Sequence, residues 1–487
     1  MLRCRTSACE EIYVALRALV LIDGQHVLAV VQATIEQLPA RFPGTTAVAA
    51  ALVGPGEKMD GRAAAALSIP VVTGVVAGDG TGDGDGTGDM NGGRAAAVAT
   101  VLSAIDTFRP DVVVDLSDEP VLDARARMGL AAHVLFRGLP YVGADFRFDP
   151  PPRPVVATKP SVAVIGAGKR TGKTAVAAHM ARLLAAAGQP PVIVAMGRGG
   201  PPEPELVDPA TFDLSVEGLL ALAGQGRHAA SDHLEDALMA GVATVGTRRC
   251  GGGLAGAPMG STYAAGVELA NLRPEPMLVL EGSGTAVPPV HADATVCVVP
   301  ADADLELVTG YLGAYRVLLS DLIVVTMSEP TFASSGAGVL EEGVRSVAPG
   351  VRVVHTVFRP FPLEPISGRR AFFVTTARAS AIDLMVEHLE REHGGKVVGT
   401  SPHLADRRSL AADLDAMADA DVLLVELKAA AVDLAVPVAR ERGMEVVFCD
   451  NRLVPTGGDG TFDEVALATA ELARERFTLR TEKSLTA

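Results

Sequence analysis

Short runs of apolar residues alternate along this chain with longer segments in which apolar residues recur every three or four positions. Four apolar runs in the first third predict buried strands, at 12–22, 47–54, 69–77 and 110–120. Between the first two, the stretch from about 27 to 38 has the spacing of a helix. Strands that alternate with helices predict an α/β fold with a parallel sheet.

The middle and the last third of the chain repeat this alternation. Apolar runs predict further strands at 162–165, 191–197, 276–281, 321–330, 370–375, 397–399, 422–426 and 445–449. The proline-rich stretch 148–160 predicts a linker, because consecutive prolines resist both helix and central strand. We therefore expect a Rossmann-like domain at 1–150, a P-loop NTPase domain with a parallel sheet at 160–365, and a C-terminal α/β domain at 366–487.

Polar residues follow several predicted strands of the first domain. They are Asp23, His26, Glu57, Lys58, Asp115, Ser117, Asp118 and Glu119. Ligands of parallel sheets bind beside the C-terminal strand ends, so these residues are candidates for a substrate or effector site. Taken alone, each residue is more typical of a turn or a helix cap, whereas their recurrence at one sheet edge favours a ligand site, and both interpretations stay open. The glycine- and aspartate-rich segment 78–93 predicts a flexible, solvated insertion rather than a Ca²⁺ loop.

The stretch 161–174, SVAVIGAGKRTGKT, combines a buried strand, a glycine-rich loop and a Lys-Thr pair that opens a predicted helix ending at Gly188. In a phosphate-binding loop of this kind, backbone N–H groups and the helix N-terminus face the phosphates. The predicted nucleotide-binding residues are Gly166, Gly168, Lys169, Arg170, Thr171, Gly172, Lys173 and Thr174. We expect Lys173 to reach the outer phosphates and Thr174 to hold Mg²⁺. An ordinary glycine-rich turn is the alternative.

A second signal is LEGSG at 280–284, at the end of a predicted strand. It places Glu281 where an NTPase needs a carboxylate for Mg²⁺ or for ordering the attacking group. Upstream, Ser231 is a candidate N-cap of a helix at about 231–238. Asp232 is either a residue of the capped first turn or a ligand of metal or substrate.

Basic residues follow other predicted strands. Arg198 follows the strand at 191–197, and Arg248 and Arg249 are adjacent before three glycines. Two guanidiniums beside an open backbone suit a polyphosphate clamp, and a solvated charged turn is the alternative. Lys428, after the strand at 422–426, is either a substrate-facing cation or a surface lysine.

Composition narrows the class of protein. With 487 residues, of which 48% are hydrophobic and 21% charged, the chain is globular and long enough for about three domains. A net charge of -16 argues against general binding to nucleic acid or an anionic membrane, so an anionic ligand needs a local basic cluster. The cysteines show no disulfide or zinc framework; they are Cys4, Cys9, Cys250, Cys297 and Cys449. The sequence has no secretory pattern and no predicted membrane span, which fits a reducing cytoplasm.

Several motifs occur together in one order. They are DLSDEP, GAGKRTGKT, MGRGGP, GRHAASDHLEDAL, GTRRCGGG, LEGSG, FRPFPLEPISGRR, ELKAAAVD and CDN. The phosphate loop and LEGSG resemble segments of dethiobiotin synthetase relatives. The whole series, with LIDGQH and GPGEK before it, resembles the cyclic 2,3-diphosphoglycerate synthetase family over almost the whole chain. The resemblance implies ATP- and Mg²⁺-dependent closure of 2,3-diphosphoglycerate into a cyclic phosphoanhydride, release of ADP and phosphate, and a homodimer.

That reaction brings two phosphate dianions together, so one phosphate must be activated and both neutralised. The predicted catalytic residues are Lys169, Lys173, Arg248, Arg249 and Glu281. The predicted substrate-binding residues are Arg170, Arg198, Arg248, Arg249 and Lys428. Thr174 and Glu281 are the predicted Mg²⁺ ligands.

Two other functions stay open from the sequence alone. One is an ATP-dependent ligase or kinase of the dethiobiotin synthetase type that acts on another anionic metabolite, for which Arg248 and Arg249 would supply more charge than is needed. The other is a nucleotide-switched regulatory or maturation NTPase. Proteins of that class usually carry Cys or His metal ligands, which the dispersed cysteines argue against.

Overall fold

The chain divides into two units. The computed structural model describes residues 15–54, 58–59, 61–74, 90–329 and 336–486. The N-terminal unit comprises residues 1–151 with 310–318, and the main unit comprises residues 152–309 with 319–487. The division falls between Pro151 and Pro152, within the predicted proline-rich linker.

Strands and helices alternate in the N-terminal unit. Its elements before the linker are β1 (Leu16–Ile22), α1 (Leu28–Arg41), β2 (Thr45–Leu52), α2 (Gly61–Ala64), β3 (Val71–Thr73), α3 (Met90–Phe108), β4 (Val112–Asp115), α4 (Ala124–Phe136), β5 (Tyr141–Val142) and β6 (Arg147–Phe148). The strands form one sheet in the order β3-β2-β1-β4-β5-β6, in which only the β5–β6 pair is antiparallel. The order reverses between β1 and β4, where doubly wound sheets bind their ligands.

Two buried carboxylates lie at this reversal. Asp23 follows β1 and accepts hydrogen bonds from the backbone N–H groups of Gln25 and Asp118, at 2.8 and 2.7 Å. Asp115 ends β4 and accepts a hydrogen bond from the Tyr141 hydroxyl at 2.6 Å. These contacts organise the loops themselves, so they support the turn interpretation for both carboxylates.

Several sequence predictions for this unit fall outside the described residues. They are residues 12–14 and 75–77 of two predicted strands, Glu57, residues 78–89 of the insertion, Cys4 and Cys9. The prediction of a flexible insertion was wrong for residues 90–93, which form the start of α3. The alanine-rich run that follows has high helix propensity, and the helix that it forms extends back through residues 90–93.

The main unit continues the alternation. Its elements, with α10 of the N-terminal unit in chain order, are β7 (Ser161–Gly166), α5 (Lys173–Ala186), β8 (Pro191–Gly197), β9 (Glu205–Val207), α6 (Val216–Gly224), α7 (Asp232–Ala240), β10 (Thr244–Cys250), β11 (Gly260–Ser261), α8 (Tyr263–Asn271), β12 (Met277–Glu281), β13 (Ala294–Pro300), α9 (Leu305–Thr309), α10 (Ala314–Leu318), β14 (Leu322–Thr326), α11 (Gly336–Val347), β15 (Arg352–Pro362), β16 (Arg370–Val374), α12 (Ile382–His393), β17 (Lys396–Ser401), α13 (Arg407–Ala416), β18 (Val422–Glu426), α14 (Val436–Glu441), β19 (Glu445–Gly458) and α15 (Phe462–Thr486). The predicted strands are therefore present in this unit, and most of their boundaries differ by a few residues. β19 extends nine residues beyond the predicted 445–449, and residue 330 of the predicted strand at 321–330 lies outside the described residues.

One large sheet runs through the main unit, in the order β11-β10-β8-β12-β7-β13-β14-β15-β19-β18-β16-β17, and β9 pairs with β10. The central strand β7 lies between β12 and β13 and is parallel to both. All six of its residues are buried. A strand buried on both faces is typical of parallel sheets covered by helices on either side, which explains its continuous apolar run.

A long antiparallel ribbon joins the two groups of strands in this sheet. β15 begins parallel to β14 and then pairs antiparallel with β19. β19 in turn begins parallel to β18. Because of this reversal, β16, β18 and the start of β19 run opposite to β7. Because the ribbon extends beyond the end of β14, the C-terminal ends of β16 and β18 face the C-terminal ends of β7, β13 and β14.

Two helices tie the sheet together. α5 follows the phosphate loop, buries Val176, Met180 and Leu184 along one face, and ends before Gly188 as predicted. α15 comes from the end of the chain but packs over β7 and β13. Its Arg480 Nε lies 3.1 Å from Asp293 Oδ1 at the start of β13. The last helix therefore covers the strands of the phosphate loop.

None of the helices within the described ranges is long and apolar enough to span a membrane. The three described cysteines are free thiols: Cys250 is exposed, and Cys297 and Cys449 are buried.

Candidate active site

The phosphate loop joins β7 to α5, and two of its glycines have no room for a side chain. Gly172 has φ 92°, and a Cβ there would lie 2.1 Å from Phe358 Cζ. A Cβ on Gly166 would lie 2.8 Å from Thr171 Oγ1. Glycine at both positions lets the loop backbone close tightly before the helix, so that its N–H groups are accessible to phosphate.

Lys173, the first residue of α5, is almost completely buried. Its Nζ donates a hydrogen bond to the carbonyl oxygen of Gly168 at 2.8 Å. Burial lowers the pKa of Lys173 to about 8, although the carboxylates of Glu281 and Asp232 oppose the shift. A bound phosphate would favour the charged ammonium further, so the position suits an anionic ligand.

Carboxylates gather beside the loop. Glu281 ends β12 next to β7, and its Oε1 accepts a hydrogen bond from Thr174 Oγ1 at 3.0 Å. Burial raises the pKa of Glu281 to about 7, with a further contribution from Asp232. Asp236 on α7 is fully buried, and burial and the neighbouring Glu281 raise its pKa well above the usual range. Neither of its carboxylate oxygens has a hydrogen-bond donor among the described residues.

These groups fit Mg²⁺. A threonine hydroxyl and a carboxylate supply the hard oxygen ligands that magnesium prefers. Within the described part of the chain, no three His, Cys, Asp or Glu side chains are arranged to hold a metal ion by themselves. Mg²⁺ commonly takes one or two protein oxygens and completes its shell with phosphate and water. Thr174 and Glu281 therefore suffice if a nucleotide supplies phosphate oxygens.

The start of α7 differs from the sequence prediction in one respect. Ser231 stands at the N-cap position, but its hydroxyl makes no capping hydrogen bond. It lies 3.1 Å from His233 Nδ1 instead. The predicted side-chain cap was wrong because the buried imidazole two residues later offers a nearer partner. Asp232 lines the cavity described below, and burial raises its pKa. Its two predicted roles stay open.

Two arginines converge on the loop that follows Glu281. Arg249 Nη2 donates a hydrogen bond to the carbonyl oxygen of Ser283 at 2.8 Å. A Cβ on Gly284 would lie 2.7 Å from Arg198 Nη2 and 3.4 Å from Arg249 Nη2. The two guanidiniums, which come from β10 and from the loop after β8, therefore form a local basic cluster beside the phosphate loop.

Arg248 lies apart from this cluster. Successive side chains of a strand point to opposite faces, and Arg248 and Arg249 are successive residues of β10. Arg249 is partly buried and Arg248 is exposed, and neither lines the cavity described below. The adjacent pair therefore does not converge on one ligand position, and a catalytic or substrate-binding role for Arg248 stays a prediction.

The other predicted cations have different surroundings. Lys169 and Arg170 are exposed on the phosphate loop and line the cavity. Lys428 also lines the cavity, and its Nζ lies 3.0 Å from Glu235 Oε1 on α7. Although burial opposes it, the carboxylates of Glu235 and Glu426 hold the pKa of Lys428 above its ordinary value. Lys428 thus has a carboxylate partner within the protein, whereas Lys169 and Arg170 face the cavity.

A cavity of about 730 Å³ lies between the two facing strand edges. Residues that line it on the side of the phosphate loop include Lys169, Lys173, Thr174, Arg198, His228 and Glu281. Further lining residues are Met327, which follows β14, Phe358, which packs against Gly172, and Thr376, Met385, Glu426 and Asn451 from the C-terminal part of the chain. Its size is that of a site for a cofactor or a drug-sized ligand.

Sequence reasoning identified all of the first set except His228 and none of the second. His228, Thr376, Glu426 and Asn451 were not predicted as site residues. The CDN motif at 449–451 follows an apolar run, which is a signal that could have identified Asn451. No local pattern indicates that this strand end faces the phosphate loop, because that placement depends on the β15–β19 ribbon.

The fold and this site define a P-loop enzyme of the α/β class with a nucleotide-binding loop. Family models match nearly the whole chain: the N-terminal domain, the P-loop domain and the C-terminal domain of cyclic 2,3-diphosphoglycerate synthetase match residues 17–149, 161–357 and 362–452. The chain therefore belongs to the cyclic 2,3-diphosphoglycerate synthetase family, as the ordered motifs predicted.

Similar proteins bear the same name. A cyclic 2,3-diphosphoglycerate synthetase of Rubrobacter xylanophilus is 42% identical over 93% of this chain and 98% of its own length. One from Methanothermobacter thermautotrophicus is 44% identical over 77% of this chain and 82% of its own length. Among solved structures, LpxK of Aquifex aeolicus in complex with ATP is 15% identical and has a TM-score of 0.38 over 66% of this chain and 89% of its own. That structural similarity is too low to support an inference.

Proposed function

We propose that this enzyme uses ATP to close 2,3-diphosphoglycerate into cyclic 2,3-diphosphoglycerate, with release of ADP and phosphate. The observation that supports this proposal is that the phosphate loop and Arg198 line one cavity, with Arg249 close to Arg198 at Gly284. The relatives that share the family name favour it over a ligase acting on another metabolite and over a regulatory NTPase.

The proposed reaction has two steps. The γ-phosphoryl group of ATP first moves to an oxygen of one substrate phosphate, which breaks the bond to ADP and forms a pyrophosphoryl intermediate. An oxygen of the other substrate phosphate then attacks the inner phosphorus of that group. The ring anhydride forms as inorganic phosphate leaves, so atoms and charge balance.

The cations of the site carry the electrostatic part of this reaction. Lys173 and the loop N–H groups hold the nucleotide phosphates in place. Lys169, Arg170 and Arg198, which line the cavity, and Arg249 beside Arg198 would pair with substrate phosphates, whose mutual repulsion otherwise keeps the reacting oxygens apart. Bound Mg²⁺, held by Thr174 and Glu281, would neutralise charge on the transferred group. Lys428 and Arg248 remain predicted substrate ligands with less support, since Lys428 is paired with Glu235 and Arg248 is exposed on the face of β10 opposite to Arg249.

Three further features belong to the proposal. The N-terminal unit would bind substrate or an effector, and the residues after 366 would act as a C-terminal domain. The enzyme would work in the cytoplasm, which fits its free cysteines. It would be a homodimer, as the family resemblance implies; light scattering of the purified protein at two concentrations tests this.

Release of ADP tests the proposed substrate. Purified protein is incubated with ATP and Mg²⁺, either alone, with 2,3-diphosphoglycerate, or with 3-phosphoglycerate, which has one phosphate and cannot cyclise. We expect 2,3-diphosphoglycerate alone to stimulate ADP release. Equal stimulation by 3-phosphoglycerate would favour a kinase instead, and release that no substrate affects would favour a regulatory NTPase.

A further inference from the structure

The half of the cavity away from the basic cluster differs in chemistry from the half at the phosphate loop. We call it the distal half; it is lined by Met327, Phe358, Thr376, Met385, Glu426 and Asn451. The two halves adjoin at Phe358, whose ring packs directly against Gly172 of the phosphate loop. An apolar surface with a few polar groups is typical of a site for a flat organic ligand.

Cations near the distal half are already engaged by carboxylates. Arg378 pairs with Asp302, and both line the cavity. Lys428 pairs with Glu235 at 3.0 Å. With Glu426 added, this half is not positively charged, whereas the half at the phosphate loop carries Lys169, Arg170 and Arg198. A substrate with two phosphates and a carboxylate is therefore attracted to the phosphate-loop half and not to the distal half.

Glu426 fixes the orientation of the Asn451 side chain. Its Oε1 accepts hydrogen bonds from Thr375 Oγ1 and from Asn451 Nδ2, the latter at 2.9 Å. Its Oε2 accepts from the backbone N–H and the hydroxyl of Thr376, at 3.1 and 2.7 Å. Because the carboxylate acts only as an acceptor here, Asn451 must turn its amide nitrogen towards Glu426.

This orientation leaves Asn451 Oδ1 as an unpaired acceptor. The atom is buried, and it has no hydrogen-bond donor within the described residues. A buried acceptor without a donor is costly, so a ligand in the distal half that offers a donor gains affinity. 2,3-Diphosphoglycerate carries phosphate and carboxylate oxygens and no hydroxyl or amine. ATP carries ribose hydroxyls and the exocyclic amine of adenine.

We propose that the distal half binds the nucleoside of the nucleotide, and that Asn451 Oδ1 accepts a hydrogen bond from a nucleoside hydroxyl or amine. Phe358, Met327 and Met385 pack against the base or ribose. The C-terminal strand edge thus supplies nucleoside recognition, while the phosphate loop supplies phosphate recognition. The inference rests on the proposed function only in taking the nucleotide to be ATP.

Binding measurements on the full chain test the inference without relying on cyclisation. Isothermal titration with Mg²⁺ compares ADP, inorganic tripolyphosphate and 2,3-diphosphoglycerate. We expect Asn451→Ala to weaken ADP binding by about 3- to 10-fold, the usual effect of one hydrogen bond. Tripolyphosphate, which lacks a nucleoside, and 2,3-diphosphoglycerate should bind within about twofold of the wild type. Weaker binding of 2,3-diphosphoglycerate with unchanged ADP binding would overturn the inference.

Nucleotide analogues identify the donor. IDP lacks the exocyclic amine, so it should bind the wild type and Asn451→Ala equally if that amine is the donor. If a ribose hydroxyl is the donor, the analogue that lacks this hydroxyl, 2′-deoxy-ADP or 3′-deoxy-ADP, should bind the two proteins equally. If Asn451→Ala weakens the binding of ADP and of all three analogues by the same factor, Asn451 does not hydrogen-bond the nucleoside.

Two further variants guard against a folding artefact. Ala381→Trp places a large ring at the cavity wall and should weaken ADP binding while tripolyphosphate binding persists. Asn271→Ala is the matched control, because Asn271 hydrogen-bonds the backbone of residues 156 and 158 outside the cavity. It should leave ADP binding unchanged. If no variant alters ADP binding, the distal half does not bind the nucleoside, whether or not the enzyme forms the cyclic product.

Discussion

Several charged side chains at the site are buried or lie close to a like charge, which an anionic ligand would compensate. Lys173 is buried among carboxylates and has a pKa lowered to about 8, so a phosphate ligand restores the stability of its charged form. Arg198 and Arg249 lie close together at Gly284, an arrangement that repels unless an anion is shared. The residues of the loop and Glu281 could be predicted from sequence, because each follows a strand in a recognised motif. The different surroundings of Arg248 and Arg249 became clear only from the structure, because the two are successive residues of β10 and their side chains point to opposite faces.

Replacement of Lys173 by Ala should reduce ADP formation by at least ~100-fold, because it removes the buried ammonium at the start of α5, and the other lysine of the loop, Lys169, is exposed and cannot take the same position. Initial rates of ADP release at saturating ATP provide the measurement. Lys396→Ala, on the exposed start of β17, is the control and should retain the wild-type rate. A Lys173→Ala enzyme with normal turnover would remove the nucleotide from this loop.

Arg249→Ala should lower kcat/KM for 2,3-diphosphoglycerate by about 10- to 100-fold, the usual effect of losing a charge-assisted hydrogen bond to phosphate. Arg248→Ala, one residue away on the opposite face of β10, serves as the comparison, and we expect the smaller effect there. Steady-state kinetics with varied 2,3-diphosphoglycerate distinguish the two. Equal losses in both variants would assign Arg248 to the substrate as well.

At the scale of elements, apolar runs predicted many of the strands because buried parallel strands are apolar throughout, although β13, which is also buried, was not predicted. Which elements pack against one another was harder to predict than where the strands lie in the chain. β9 and the start of α7 illustrate this, since Glu205 on β9 meets Arg227 and His233 from a different part of the chain. Arg227 Nη2 lies 2.6 Å from Glu205 Oε1, and His233 Nε2 lies 3.7 Å from Glu205 Oε2. Nothing in the local sequence indicates these partners.

The Glu205 contacts predict a dependence of stability on pH. His233 and Arg227 lower the pKa of Glu205 from 4.5 to about 2 in the folded protein, although burial opposes the shift. Its stabilisation is therefore complete above about pH 4.5 and is lost as the pH falls towards 2. Glu205→Gln should lower Tm at pH 7, and its difference from the wild type should shrink between about pH 5 and 3. Glu268→Gln, at an exposed position of α8, is the control. A difference in Tm that stays constant across this range would contradict the account.

At the scale of the main unit, the β15–β19 ribbon determines which residues form the site. It turns the C-terminal strands so that their ends face the phosphate loop, and Thr376, Glu426 and Asn451 line the same cavity as Lys173. The sequence indicated the strands on both sides of the ribbon but not their relative direction, because pairing over nearly a hundred residues leaves no periodic signal. Helix α15 is a second long-range connection, since it packs over β7 and β13 from the chain end.

Arg480 on α15 tests this connection. Its guanidinium contacts Asp293, whose side chain is 1% exposed, so Arg480→Ala leaves a buried carboxylate with fewer donors. We expect the free energy of unfolding to fall by about 1–3 kcal/mol. Arg474→Ala, on the same helix but paired with exposed Glu471, should stay within about 0.5 kcal/mol of the wild type. Denaturant unfolding measures both. If Arg480→Ala is as stable as Arg474→Ala, the contact between Arg480 and Asp293 contributes little to the free energy of unfolding.

The central claim is that ATP drives closure of a phosphoanhydride ring within one substrate molecule. ³¹P NMR of the purified enzyme with ATP, Mg²⁺ and 2,3-diphosphoglycerate tests it most directly. The account predicts that the two phosphomonoester signals of the substrate are replaced by coupled anhydride signals, as ADP and inorganic phosphate appear in equal amounts. ADP and phosphate without the anhydride signals, or a single new phosphoester, would contradict it.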